Sequence, residues 1–444
     1  MKRTKQIIAA AGSLLFVWAA LLPAQPKGGF SFTKVDTDLL QQVELVDKKY
    51  DKEGMVYHEQ ALEAYINRVG RAMLPAGEAP ERVTWQFRVL RDPMPNAFAL
   101  PNGTIYVHSG LVALLENEDQ LASVLGHEIA HVTGRHAYLH YHDYRKKVAI
   151  ATVVSYVASF APGGNAWGAA IQVAGALAPI VMAASINGYS RELEKEADIY
   201  SFNALIEGHY DPREMSAAFR LLERKDEVGV NKIYYNDHPR LEDRIGYLTG
   251  LVASQSVSPV APEVLAERRI RYQTAAEGVS REDIRLAILS HRPRTALTTA
   301  KKLMGFHSTS ADNLYSLAEA YRALGPWTAQ PADSELRGDG VKEARSLDRK
   351  FTREEEDREL MSRPAGKAAW SENQRAAEEA YRKVLALDPN HAKSYRGLGE
   401  LYEKEHKNEE ALAAYRKYVE LQPQALDQYR VRQRMEALQR SIGL

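Results

Sequence analysis

The stretch His127-Glu128-Ile129-Ala130-His131 constrains this chain more than any other. Four residues is close to one helical turn, so on a helix both imidazoles project from one face and can hold a single Zn²⁺. Glu128 lies beside them, where it can take a proton from a metal-bound water. The flanking sequence has a helical pattern. Asn117 serves as N-cap, with Gln120 three residues on in a capping-box arrangement. Leu121, Val124, Leu125 and Ile129 form an apolar stripe at helical spacing. Such a helix is buried, and an unpaired histidine pair would be costly there. The alternative is a surface helix with two satisfied histidines.

At 444 residues the chain has room for two or three domains, and its 45% hydrophobic content suits a sizeable core. Lys+Arg and Asp+Glu both number 58, so nothing global points to nucleic acid. The chain has no cysteine, which excludes disulfides, thiolate zinc ligands and a cysteine nucleophile. Any zinc must be held by nitrogen and oxygen. At the N-terminus Lys2, Arg3 and Lys5 precede an apolar run from Ile7 to Leu22, with Ala24 fitting the last residue before cleavage. Residues 1–24 therefore read as a signal peptide; the other reading is an uncleaved anchor. Both place the body of the protein outside the cytoplasm.

Residues 33–75 look helical, for instance around Leu62, Tyr65, Ile66, Val69 and Met73. Val83 to Leu90 alternates like a strand, with Val83, Trp85, Phe87 and Val89 on one face. Asn96 to Leu100, a turn through Pro101-Asn102-Gly103, and Thr104 to His108 read as a β-hairpin leading into the His127 helix. An edge strand beside such a helix can receive a substrate backbone by strand addition, although an ordinary hairpin has the same sequence signature. Residues 148–186 are apolar and rich in Ala and Gly. They are expected to form a helical hairpin over the cleft or in peripheral contact with a membrane, rather than a full span.

Beyond about residue 265 the pattern becomes one of helix pairs. Tyr395, Leu398, Gly399, Tyr402, Ala411, Tyr415 and Pro423 fit the 34-residue tetratricopeptide unit, and Ala377, Tyr381 and Pro389 repeat its second half one period earlier. Leu314, Leu317, Ala318 and Tyr321 supply a first helix, and residues 281–304 a further degenerate pair. The insertion at 325–373 carries Pro, Gly and mixed charge and is expected to be a mobile excursion. Stacked repeats of this kind offer a concave surface for protein segments.

A catalytic zinc needs a third protein ligand and an open position. Downstream, Glu194-Lys195-Glu196-Ala197-Asp198 contains E-x-x-A-D. Glu194 can supply a carboxylate oxygen, and Asp198, one turn later, can accept a hydrogen bond from a ligand histidine. The alternative for such a charged run is a solvated helix face. Asp237-His238-Pro239 with Arg244 completes the set of motifs. His238-Pro239 could equally start a helix, with Arg244 pairing with Glu242 or Asp243.

These features together resemble the HtpX/CAAX-prenyl-protease superfamily of gluzincin metallopeptidases. The matching residues are Asn96 to Pro101, H-E-x-x-H continuing to Arg135-His136, E-x-x-A-D, and His238-Pro239 with Arg244. More narrowly, the chain is similar to the exported BepA type, which joins such a peptidase to tetratricopeptide repeats. The resemblance implies an α+β fold: a mainly helical peptidase domain with a small β-sheet (residues 25–255), followed by an all-α repeat domain (265–444). It implies one Zn²⁺ per chain on His127, His131 and Glu194, with Glu128 as general base and Asp198 behind the ligands. His238 and Arg244 match H-P-x-x-x-x-R. There the histidine either stabilises the tetrahedral intermediate or plugs the fourth zinc position. His136 reads as a packing residue as readily as a catalytic one, and His108, His140 and His142 as structural or surface residues. The implied function is hydrolysis of peptide bonds in misfolded or stalled envelope proteins of the periplasm. The repeats would bind substrate or the outer-membrane assembly machinery. The alternative is a chaperone-like assembly factor whose zinc site stays autoinhibited.

Overall fold

The computed structural model describes residues 31–77, 79–143, 189–223, 241–255, 257–328 and 353–443. The expected signal peptide, the apolar segment 148–186 and His238 lie outside the described residues. Two compact units divide between Ala276 and Glu277. Among the described residues no helix is long and apolar enough to cross a membrane.

The first unit is α+β, as expected. Helix α1 (Lys34–Lys52) starts at a capping box in which Thr33 N–H donates to Asp36 and Asp36 N–H to Thr33 Oγ1. Helix α2 (Gln60–Ala72) buries Leu62, Ile66 and Val69. Strands β1 (Gln86–Leu90), β2 (Ala97–Ala99) and β3 (Thr104–His108) form a sheet in the order β1-β3-β2. The expected hairpin is β2–β3, antiparallel with Phe98 opposite Tyr106, while β1 joins the far side of β3 in parallel. The expected strand from Val83 begins only at Gln86, because Val83 N–H closes a turn on Pro80 O. Strand β2 is left at the sheet edge.

Helices α3 (Ser109–Leu114) and α4 (Glu118–Thr133) follow. Asn117 caps α4 by accepting from Gln120 N–H at 2.9 Å. The other half of the expected capping box differs. Gln120 turns its side chain to Glu116 N–H and to Glu214, because those partners are available beside a buried helix start. The unit continues with α5 (Arg191–Glu207), α6 (Arg213–Leu222), α7 (Leu241–Ser254) and the first part of α8 (Pro262–Leu289). Tyr272 of α8 donates to Val112 O at 2.6 Å.

The second unit is helical throughout its described residues: α9 (Pro293–Phe306), α10 (Ala311–Leu324), α11 (Arg353–Ser362), α12 (Pro364–Leu387), α13 (Ala392–Lys404), α14 (Asn408–Leu421) and α15 (Gln428–Ser441). Its core joins Ala377, Tyr381, Leu398, Tyr402, Ala411 and Tyr415, the residues of the repeat pattern. The expected mobile excursion at 325–373 differs where it is described. Residues 353–362 are helical, and α12 begins at Pro364, well before residue 373. Proline suits the first helical turn, and Ala365, Ala368 and Ala369 favour extending the helix backward. Asn373 is buried and donates to Gly325 O and Trp327 O, both at 2.9 Å, tying the returning helix to the end of α10.

Candidate metal centre

Small residues bring α4 and α5 together. A Cβ on Gly126 would lie 2.7 Å from the Met73 side chain and 2.9 Å from Ser201 Oγ, so a larger residue there would force both side chains to shift. Ser201 Oγ donates to Ser123 O at 2.7 Å across the same contact. On α5, Glu194, Ala197, Asp198 and Ser201 follow helical spacing and are all buried, facing α4. Within the charged run, Glu194 and Asp198 are buried against α4, while Arg191, Glu192 and Lys195 stay on the solvated face.

His127 and His131 turn their Nε2 atoms toward one point, 3.0 Å apart. Glu194 adds Oε2 at 3.4 Å from His127 Nε2 and Oε1 at 3.6 Å from His131 Nε2. These three residues form the metal-ligand cluster among the described residues. A tetrahedral zinc with bonds of about 2.0–2.1 Å sets its ligand atoms about 3.3 Å apart. The two imidazole nitrogens and the Glu194 carboxylate, which faces one nitrogen with each oxygen, lie at separations near that size, so the donor set fits Zn²⁺ in chemistry and approximate spacing.

Behind the triangle lies a buried polar network. His127 Nδ1 is 2.9 Å from Asp198 Oδ1. Arg244, on α7, donates from Nε and Nη2 to the two Asp198 oxygens, at 2.9 and 2.6 Å. Its Nη1 lies 3.0 Å from Glu194 Oε2. The alternative pairing with Glu242 or Asp243 gives way to this fork. Tyr247, one turn beyond Arg244, donates its hydroxyl to Asp198 Oδ2. Burial pushes the Asp198 carboxyl up, but Arg244 and the His127 hydrogen bond outweigh it and hold Asp198 below the usual carboxylate range. Burial would lower His127, yet Asp198 and Glu194 carry the metal-free imidazole up to about 9.

His131 is held differently. Its Nδ1 is 2.8 Å from His136 Nδ1, and Tyr189 stacks on its ring at 4.0 Å and 19°. Burial pushes His136 down to about 4, so this imidazole is neutral. Glu128 is buried between the two histidines in sequence. His108 bonds Met94 O, His142 bonds Asp36, and the His140 ring meets Tyr189, in keeping with structural roles. Tyr189 and Tyr247 went unread in the sequence. Tyr247 was open to detection, standing one turn after Arg244 on one helix face, whereas Tyr189 carries no motif. His238 lies outside the described residues.

Three buried nitrogen and oxygen donors around one point, with a glutamate on the helix that carries two of them, form a candidate metal centre. Residues 60–252 match the model for peptidase family M48, and residues 380–413 match one for a tetratricopeptide repeat. Residues 60–252 are thus similar to an M48 metallopeptidase domain, and a region resembling a tetratricopeptide repeat follows toward the C-terminus. The chain is 28% identical over 248 residues to a mitochondrial metalloendopeptidase OMA1 of Schizosaccharomyces pombe, covering 54% of this chain and 68% of that protein. It is 32% identical over 194 residues to a putative beta-barrel assembly-enhancing protease of Vibrio cholerae, covering 43% of this chain and 39% of the relative. Against the beta-barrel assembly-enhancing protease of Escherichia coli it is 27% identical over 158 residues, covering 36% and 32%. The chain thus spans less than half the length of these last two relatives.

Proposed function

We propose that the chain is a zinc-dependent endopeptidase that cleaves misfolded or stalled proteins of the cell envelope. The observation carrying this reading is the buried cluster of His127, His131 and Glu194, with the two Nε2 atoms 3.0 Å apart and the two carboxylate oxygens 3.4 and 3.6 Å from them. His127, His131 and Glu194 would hold the ion through Nε2, Nε2 and a carboxylate oxygen. Bound zinc supplies Lewis acidity toward water and the scissile carbonyl. Glu128 accepts the proton of the attacking water and later passes it to the leaving amine. Asp198 fixes the His127 tautomer by accepting its Nδ1 proton, and Arg244 holds Asp198 and Glu194 in place. Edge strand β2 turns Ala97 O and the Ala99 backbone groups away from β3 and toward an extended substrate, because Phe98 pairs with Tyr106; Ala97 N–H is taken by Asn96 Oδ1 at 2.9 Å.

By the family motif, His238 stabilises the tetrahedral intermediate or plugs the zinc position. His238→Ala separates the two: activity collapses in the first case and basal proteolysis rises in the second. The names of the Vibrio and Escherichia relatives, beta-barrel assembly-enhancing proteases, support a partner in beta-barrel assembly for the repeats, and the apolar run Ile7 to Leu22 after Lys2, Arg3 and Lys5 supports export to the periplasm. The test is Glu128→Gln. It should keep one zinc per chain, lose hydrolysis of an unfolded protein substrate, and trap envelope proteins in the periplasm. Hydrolysis at the unmutated rate would remove Glu128 from its role. A cellular role surviving intact would favour the chaperone-like reading.

A further inference from the structure

We propose that His136 is a positioning residue: its Nδ1 accepts the Nδ1 proton of His131 and fixes that imidazole for the metal. The inference rests on His131 being a zinc ligand. If His131 binds through Nε2, the neutral ring carries its proton on Nδ1, which must then find an acceptor. The atom facing it at 2.8 Å is His136 Nδ1. For that nitrogen to accept, His136 must carry its own proton on Nε2. The two ligand histidines are thus held by unlike groups, a carboxylate behind His127 and an imidazole behind His131.

Three further features are built around this contact. First, α4 ends in a reversal that swings the chain back on itself. Gly134 N–H bonds Ala130 O, and Arg135 takes φ +56°, a left-handed conformation that costs a non-glycine residue energy. The reversal returns His136 to the ligand it follows in sequence. Second, the space His136 occupies exists because residue 134 is glycine. Its φ of −75° suits any residue, but a Cβ there would fall on His136 Nε2. Third, His136 is buried and its Nε2 has no hydrogen-bond partner among the described residues; the Glu196 carboxylate is 3.9 Å away. A side chain kept only for packing would be better apolar, since an imidazole leaves one polar atom unsatisfied. Strain, a missing Cβ and an unsatisfied nitrogen together maintain one contact, to His131 Nδ1.

The experiment measures zinc affinity of the full chain by chelator competition, and the visible spectrum of the Co²⁺-substituted protein. His136→Leu should weaken zinc binding 10- to 100-fold, the usual loss when a group behind a ligand is removed. It should also shift the Co²⁺ bands. His136→Asn can place Oδ1 near the Nδ1 position and should recover most of the loss, which a packing role would not give. Gly134→Ala keeps every named side chain but crowds His136. It should loosen zinc in the parent protein and have no further effect in a His136→Ala background. His136→Leu binding zinc like the parent would overturn the inference, as would Gly134→Ala acting equally with and without His136. A parent protein that binds no zinc would overturn the ligand reading and this inference together.

Discussion

Arg244 grips Asp198 side-on, its Nε and Nη2 lying 2.9 and 2.6 Å from the two carboxylate oxygens. The same guanidinium reaches Glu194 with Nη1, so one cation serves two buried acids on successive turns of α5. Lysine offers a point charge and cannot reproduce this planar fork. Arg244→Lys is therefore expected to lower zinc affinity by about 10- to 100-fold and activity with it. Chelator competition and peptide hydrolysis measure the two effects. Unchanged values for both would show that charge alone is needed.

The start of α4 is anchored by a second buried acid. Glu118 accepts from the Tyr65 hydroxyl at 2.9 Å and Arg68 at 2.8 Å, with Arg271 of α8 at 3.3 Å. Burial raises its pKa, but the Arg68 and Tyr65 hydrogen bonds outweigh this and leave it lowered. A lowered folded value means stability that is present above the unfolded value, near 4.5, and lost as pH falls through the folded one. Glu118→Gln should cost about 1–3 kcal/mol near neutral pH, the range for hydrogen bonds to charged groups. That deficit should shrink below about pH 4. Thermal melts of both proteins across this range check the sign; a deficit that grows on acidification would contradict it.

The candidate metal site was legible because its parts obey helical spacing. His127 with His131, and Glu194 with Asp198, each stand four apart, so pattern alone placed them on shared faces. The partners of those residues were less so. Arg244 came only through a family motif, since its contacts with Asp198 and Glu194 depend on how α7 packs. Tyr189 touches His131 through a fold contact that no local pattern announces. The β1 pairing was likewise unread, because strand alternation marks a face and not a partner. In the repeats, period and aromatic positions carried nearly everything. What misled there was composition: the charged stretch before Asn373 continues as helix once Pro364 starts it.

Gly399 in the repeat unit is a packing glycine. A Cβ there would lie 2.5 Å from the Tyr415 ring, and Tyr415 is anchored through its hydroxyl to Glu403 at 2.7 Å. Helix propensity favours alanine by up to about 1 kcal/mol. Overpacking against a held ring costs roughly 1–3 kcal/mol. Packing should win, so Gly399→Ala is expected to destabilise the repeats. Adding Tyr415→Leu should recover part of that loss, which a double-mutant cycle of denaturant unfolding would reveal. Independent, additive effects would refute the steric account.

Metal removal should act unevenly along the chain. All three ligands stand on α4 and α5, and the residues behind them extend only to α7 and the turn after α4. A ligand present at a thousand times its dissociation constant stabilises the folded form by about 4 kcal/mol. Without zinc, Glu194 keeps the Arg244 cation that it shares with Asp198, and the ligand side chains lose the ion that joins them. Local opening near the ligand triangle should therefore become easier before the rest of the unit loosens. Hydrogen exchange before and after chelation tests this directly. Amide protection should fall in the His127–His131 turn and the first turns of α5, and remain unchanged in α12 to α14. Equal loss of protection in the repeat helices would show that the metal's contribution to stability extends beyond the unit that binds it.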